Sequence, residues 1–252
     1  MGSGTGIDPT TTWYERQMRA VILAGGRGAR LQPFTTVLPK PLMPIGDLPI
    51  LEVLIRQLVR AGICDIVLAV GYLSSLIEAV IGDGERLGAR IQYSREQQPL
   101  GTAGPLSLVS DLGDSFLVMN GDLLTTLDFQ ALIQFHQQRA ATATLATFRK
   151  QYTIDLGVLT VEGQDSVVGY TEKPSLELVV STGIYVFERE VLAELIPGER
   201  LDLPDLIRAL IARDRPVSAY PFDGIWLDIG RHDDYQQAIE QFERARHLFL
   251  PD

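Results

Sequence analysis

Apolar residues in this chain fall into short blocks of two alternating kinds. The run AVILA at 20–24 is apolar throughout and bounded by glycines, as a strand covered on both faces of a parallel sheet should be. At 51–61, Leu51, Leu54, Ile55, Leu58 and Val59 recur at helical spacing, and Gly62 follows as a stop. The pattern then predicts a strand at 65–70, a helix capped by Ser74 and ending at 81, a strand at 89–93 and a short helix at 103–109. A fourth strand at 115–119 runs into Asn120, Gly121 and Asp122, before a helix at 129–139 and a strand at 141–148. Strands and helices alternating at this spacing imply βαβ units and a sheet covered on both sides. Beyond Lys150 the rhythm changes. Strand-like segments at 156–161, 166–172 and 179–187 follow one another without full helices, and helices return at 203–212 and 232–246. The expected fold is α/β: a Rossmann-like, mostly parallel sheet sandwiched by helices, with an antiparallel strand-rich C-terminal extension. Residues 18–252 read as one domain, and residues 1–17 as a flexible leader without the cationic start and apolar stretch of a secretory signal.

Composition narrows the classes. The 252 residues carry 22 Lys plus Arg against 32 Asp plus Glu, a net charge of −10, with 46% hydrophobic residues. That rules out wholesale disorder and argues against nucleic acid or an anionic membrane as partner, since both demand surplus cations. No apolar run approaches the roughly 20 residues of a membrane span. The single cysteine, Cys64, cannot form an internal disulfide, which favours a reducing, cytoplasmic setting, and it reads as a small core residue before a strand. His136, His232 and His247 lack metal-like spacing and read as surface residues of helices.

The loop AGGRGARL at 24–31 leaves the first strand directly. Its three glycines allow backbone N–H groups to approach phosphates closely. A dinucleotide fingerprint would need a third-position glycine where Leu31 stands, and an acid where the second strand instead ends Ala69-Val70-Gly71-Tyr72. A Walker A loop would need Gly-Lys followed by Ser or Thr, which is missing. A plain turn has no reason to carry Arg27 and Arg30. In PKPLMP, residues 39–44, flanking prolines stiffen the segment and hold Lys40 in a narrow range of positions, placed to meet phosphate oxygens as a point charge.

Two acids stand out. Asp122 follows a strand and Gly121, at the sheet edge where α/β ligands bind. Asp228 lies in the apolar segment WLDIG and demands a partner: either a metal or an arginine. Hard carboxylate oxygens suit Mg²⁺.

Together, L-A-G-G-x-G-x-R-L-x-P and P-K-P-L-x-P resemble the sugar-1-phosphate nucleotidylyltransferase family. The resemblance continues in order through PLGTAG at 99–104, MNGD at 119–122, EKP at 172–174, STGIYVF at 181–187 and WLDIG at 226–230. One departure is Ala29, where the family commonly has a polar residue. The resemblance implies attack of a sugar-1-phosphate oxygen on the α-phosphorus of a nucleoside triphosphate, with pyrophosphate leaving and no covalent nucleophile. It implies a nucleotide-binding part at 18–150 and a sugar-phosphate-binding part at 151–246, with triphosphate and sugar-1-phosphate as partners and a homo-oligomer open. By the same resemblance Asp122 and Asp228 are the metal pair for Mg²⁺, and Arg30 and Lys40 face the triphosphate. Leu23, Ala24, Gly25, Gly26, Gly28, Gly101 and Thr102 surround the nucleotide, and Gln97 or Gln98 reads the base. Gly157, Glu172, Lys173 and Thr182 meet the sugar phosphate. PLGTAG leans toward GTP with mannose- or heptose-1-phosphate. A uridylyl or thymidylyl enzyme for another (amino) sugar is the alternative, and so is a regulatory nucleotide-sugar binder without catalysis.

Overall fold

The computed structural model describes residues 18–250, so the leader expected at 1–17 lies outside the described residues. Strand β1 (Arg19–Ala24) is followed by a small β2–β3 hairpin (Pro44–Ile45, Leu48–Pro49), α1 (Ile50–Arg60), β4 (Asp65–Val70), α2 (Ser74–Ile81) and β5 (Arg90–Arg95). Then come β6 (Ser115–Asn120), β7 (Leu123–Thr125), α3 (Phe129–Arg139), β8 (Ala143–Thr153), β9 (Val158–Glu162), β10 (Ser166–Thr171) and β11 (Ser175–Glu188). The chain closes with α4 (Leu203–Ala212), β12 (Val217–Pro221), β13 (Trp226–Asp228) and α5 (His232–Phe249).

Seven strands form the main sheet in the order β12-β8-β11-β6-β1-β4-β5. Strand β1 pairs in parallel with β4 on one side and β6 on the other. Only β11 opposes the rest, pairing antiparallel with both β6 and β8, while β12 runs parallel to β8. The mostly parallel sheet predicted from the apolar runs is therefore present. The antiparallel C-terminal strands are present too: β11 runs antiparallel between β6 and β8 in the main sheet, and β9 and β10 form an antiparallel pair of their own. What projects is the ribbon of distal β8 and β11 together with the β9–β10 pair.

The buried strands cover one side of the sheet with α1, α2 and α3 and the other with α4, so Ile22, Leu68 and Met119 face one core while Val21, Phe116 and Val118 face the second. A third cluster packs α5 against Leu31, Met43, Leu124 and Ile229. Helix α1 stops where Gly62 takes a left-handed φ of +79°, which a β-carbon would disfavour.

Three expectations need correction. Ser74 is the first residue of α2, and its hydroxyl caps nothing. The short helix near 103–109 is a 3-10 turn over Gly104–Leu108. His136 is 1% exposed rather than superficial. It lies four residues after Leu132 on the inward stripe of α3, where its ring nitrogens bond Thr144 Oγ1 at 2.8 Å and Glu188 Oε1 at 2.9 Å. His232 and His247 are exposed as expected, and Cys64 is half-buried.

Candidate active site

Strand order reverses at β1, whose neighbours β4 and β6 continue to opposite edges of the sheet. Ligands of open α/β sheets bind at the carboxyl ends of strands near such a point. A cleft of about 690 Å³ opens there, lined by the loops after β1, β4, β5 and β6.

The loop after β1 is held from below. Gly28 adopts φ +60°, and a β-carbon on it would come 2.9 Å from Thr35 Cγ2 and 3.3 Å from Lys40 Cβ. Its carbonyl accepts the Thr35 hydroxyl at 2.8 Å and the Leu31 N–H at 2.9 Å. The buried Leu31 anchors this tight turn and leaves Arg30 at the surface. Lys40 opens another one-turn 3-10 helix, with Pro39 at φ −63° before it and the Met43 N–H on its carbonyl at 3.0 Å. Its side chain is nearly enclosed, yet its ammonium reaches the Asp122 carboxylate in a short ion pair.

Asp122 is set by Gly121, which lies so close to β1 that its N–H donates to Leu23 O at 2.9 Å. A β-carbon there would meet the same oxygen at 2.9 Å, so only glycine fits. Strand β13 pairs antiparallel with β7, placing Asp228 opposite Leu123, and the Ile229 N–H donates to Asp122 O at 3.2 Å. The two acids, 106 residues apart in the sequence, thus come side by side, Asp122 in the turn just before β7 and Asp228 at the end of β13. Arg30 approaches from the other side: a β-carbon at Gly230 would stand 3.8 Å from both Arg30 Nη1 and Asp228 Oδ2. Water reaches Asp228, but protein crowds most of its surroundings. That desolvation, then repulsion from Asp122, raises its carboxyl pKa above the ordinary range, against the pull of Lys40 and Arg30. Two mutually repelling carboxylates at a cleft mouth are a donor set that a hard divalent cation would relieve. Among the described residues no group of three or more His, Cys, Asp or Glu is placed to hold a metal.

The other candidates divide. Leu23, Ala24, Gly25, Gly26, Gly28, Gln97, Gln98, Gly101 and Thr102 all line the cleft with Arg30, Lys40 and Asp122. Gln98 donates its amide to Gly198 O at 3.3 Å. Thr102 is already engaged: its N–H donates to Asp202 Oδ1 at 3.1 Å, and its hydroxyl oxygen accepts the Leu203 N–H at 2.7 Å, fastening the loop to the start of α4. Gly157, Glu172, Lys173 and Thr182 are not brought to the cleft lining. Thr182 is buried with its hydroxyl donated to Ala146 O at 2.9 Å, while its carbonyl accepts Trp226 Nε1 at 2.9 Å. Glu172 and Lys173 are exposed on the projecting ribbon, bonded to Tyr170 and to Asp155 at 2.7 Å and 2.5 Å. Gly157 packs against the Tyr170 phenol.

Sequence reasoning missed Glu96. Its carboxylate lies beneath the glycine loop, where a β-carbon on Gly25 would come 2.8 Å from Oε1, and its Oε2 accepts the Leu100 N–H at 3.0 Å. The available signal was an acid directly after the β5 strand at the ligand-binding edge; the neighbouring glutamines drew attention from it.

The chain matches the model of the nucleotidyl transferase family over residues 19–245 and belongs to that family. It is 35% identical over 242 residues to a UTP–glucose-1-phosphate uridylyltransferase of Synechocystis sp., covering 88% of this chain and 62% of that protein. To a mannose-1-phosphate guanylyltransferase of Mycobacterium tuberculosis it is 34% identical over 236 residues, covering 91% and 66%. The chain therefore spans 62–66% of the length of these two curated relatives. Among solved structures, a candidate glucose-1-phosphate thymidylyltransferase of Bacillus anthracis superposes with a TM-score of 0.72 at 26% identity, over 88% of this chain and 94% of that one.

Proposed function

We propose that this chain transfers a nucleotidyl group from a nucleoside triphosphate to a sugar-1-phosphate, forming a nucleotide sugar and releasing pyrophosphate. The observation that carries the reading is the convergence of Arg30, Lys40 and Asp122 in the lining of one cleft, with Asp228 close enough to feel the charge of all three. In the reaction a sugar-phosphate oxygen forms a bond to the α-phosphorus as the bond to the pyrophosphate oxygen breaks. Arg30 and Lys40 would stabilise negative charge on the α-phosphate and the departing group, from positions set before substrate arrives. The glycine loop would bring backbone N–H groups to the phosphates. Cys64 precedes β4 at the opposite edge of the sheet, so it is no nucleophile for this cleft.

Asp122 and Asp228 would hold Mg²⁺, which when bound would neutralise phosphate charge and help align the two anions. Residues 18–150 would hold the nucleotide and 151–246 the sugar phosphate, with Gly157, Glu172 and Lys173 reaching it from the ribbon. No helix of the described chain is long and apolar enough to cross a membrane; with a single cysteine, we place the protein in the cytoplasm.

Glu96 favours GTP. A carboxylate only accepts hydrogen bonds, and guanine offers two adjacent donors, N1–H and N2–H₂, whereas uracil flanks its one donor with two carbonyls. The mannose-1-phosphate guanylyltransferase name of the Mycobacterium relative points the same way, toward GTP with mannose- or heptose-1-phosphate. The name of the Synechocystis relative favours UTP as the second reading. A pyrophosphate-release screen of four triphosphates against a panel of sugar-1-phosphates with Mg²⁺ decides between them. GTP should turn over fastest, and Glu96→Gln should lower kcat/KM for GTP about tenfold while sparing UTP. Faster turnover with UTP would favour the second reading, and no release with any pair would leave a regulatory nucleotide-sugar binder.

A further inference from the structure

Asn120 interrupts an apolar row. Phe116 and Val118 alternate along β6 into the second core, and the next position on that face is an asparagine, where the strand reaches the cleft. Its carboxamide has no hydrogen-bond partner among the described residues. The backbone around it is fixed on both sides. Strand β1 pairs with it, Leu23 standing opposite. On the other side β11 is irregular between Ser181 and Tyr185, and Gly183 turns through φ +77°. A β-carbon on Gly183 would come 2.5 Å from Asn120 Nδ2 and push the carboxamide aside. The irregular segment is itself held: Thr182 donates its hydroxyl to Ala146 O and accepts Trp226 Nε1 on its carbonyl, both at 2.9 Å. A rigid frame thus presents to the cleft an amide that the protein leaves unbonded, and polar groups so placed find their partners in a ligand.

We infer that Asn120 binds a hydroxyl of the acceptor sugar, the one on the carbon next to the phosphate-bearing carbon, and so sets which sugar is accepted. The inference rests on the transferase reading above. A primary amide offers donor and acceptor without charge, which matches a hydroxyl, whereas phosphate oxygens only accept and are served by Arg30 and Lys40. The base belongs elsewhere. Glu96 follows β5, two strands beyond β1, while Asn120 ends β6 on the opposite side of β1, next to β11. Polar groups on opposite sides of β1 suit two substrates that meet between them. Reach selects the hydroxyl: Asn120 stands two residues from Asp122, roughly 7 Å along an extended chain, so its amide meets the acceptor close to the reacting phosphate. At that carbon gluco and manno sugars differ only in the direction of the hydroxyl, and an amide held in one place bonds one of the two orientations. Thr182 then acts by building the frame rather than by touching the sugar.

Steady-state kinetics tests this with the fastest pair of triphosphate and sugar-1-phosphate, and with that sugar's 2-deoxy analogue. The wild type should lose at least about tenfold in kcat/KM when the hydroxyl is removed. Asn120→Leu, of similar volume, should lose about as much on the parent sugar phosphate, leave the triphosphate KM unchanged, and lose no more on the 2-deoxy analogue. A merely structural defect would instead multiply with the loss from the analogue. Should Asn120→Leu fail to fold by circular dichroism, Asn120→Ser, polar but shorter, should show the same blunted discrimination. Three results overturn the inference and leave the transferase reading standing: a wild type indifferent to that hydroxyl, variants that keep its full discrimination, or a rise in the triphosphate KM alone, which would put the amide on the ribose. No turnover by the wild type with any pair overturns that reading and the inference together.

Discussion

The parallel half of the sheet and the projecting ribbon solve opposite problems. In β1, β4 and β6 nearly every side chain is buried on one face or the other, and the sequence there is apolar without interruption. In the ribbon nearly every side chain is exposed, although Val158, Leu159, Val161, Val167, Val168 and Tyr170 are apolar. The difference shows what an apolar pattern reports: how many faces a strand needs covered, not whether the chain itself supplies the cover. It also separates the candidate residues. Those on loops springing from the rigid sheet edge converge on the cleft, whereas those on the ribbon stand away from it.

The largest effect that sharpens this contrast lies in the core. Phe116 is fully buried with its ring 5.9 Å from that of Phe187, so Phe116→Ala should cost about 3–5 kcal/mol, read by urea unfolding. A loss below about 1 kcal/mol would mean the core yields as readily as a surface strand. Next is Asp122→Asn, which should cut turnover by about 10²-fold, or about 3 kcal/mol of transition-state stabilisation, with the fold intact by circular dichroism. Near-normal turnover would remove Asp122 from the site. On the ribbon, Lys173→Ala should raise KM for sugar phosphate about tenfold, roughly 1.4 kcal/mol, with the triphosphate KM unchanged. Equal changes for both substrates would break the assignment of the ribbon to the sugar.

The smallest effect concerns Asp228. Its folded-state pKa is raised, so its stability contribution is complete below the ordinary carboxylate pKa and is lost as pH climbs through the raised value. Asp228→Asn should therefore raise the neutral-pH Tm of the metal-free protein by about 1–2 °C and leave the acid-side Tm unchanged. Mg²⁺ should raise the Tm of the wild type but not of the variant. A lower neutral Tm in the variant would contradict the crowding and repulsion inferred for this carboxylate.

Much of this was legible along the chain because it is local. Uninterrupted runs such as 20–24 announce doubly covered strands, and Gly28, Pro39 and Pro41 announce the turns that aim Arg30 and Lys40. His136 was misread because a polar residue on an inward helical stripe looks superficial until Thr144 and Glu188, from β8 and β11, supply its bonds. Glu96 was overlooked because its closeness to Gly25 depends on two loops from different strands. Thr182 was offered a ligand, but its hydroxyl is held by Ala146 across β11 and β8.

By itself, the order of residues determined most of the strands and helices, the stiff loops around Gly28 and Lys40, and the family. Side-chain periodicity and backbone restriction act within a few residues, so they survive being read in one dimension. Only the tertiary structure decided that β11 reverses inside the sheet, that Asp228 lies beside Asp122, and that the ribbon's apolar side chains are left open. Those outcomes depend on closing loops of up to about a hundred residues, and no local preference records which distant strand will be the neighbour.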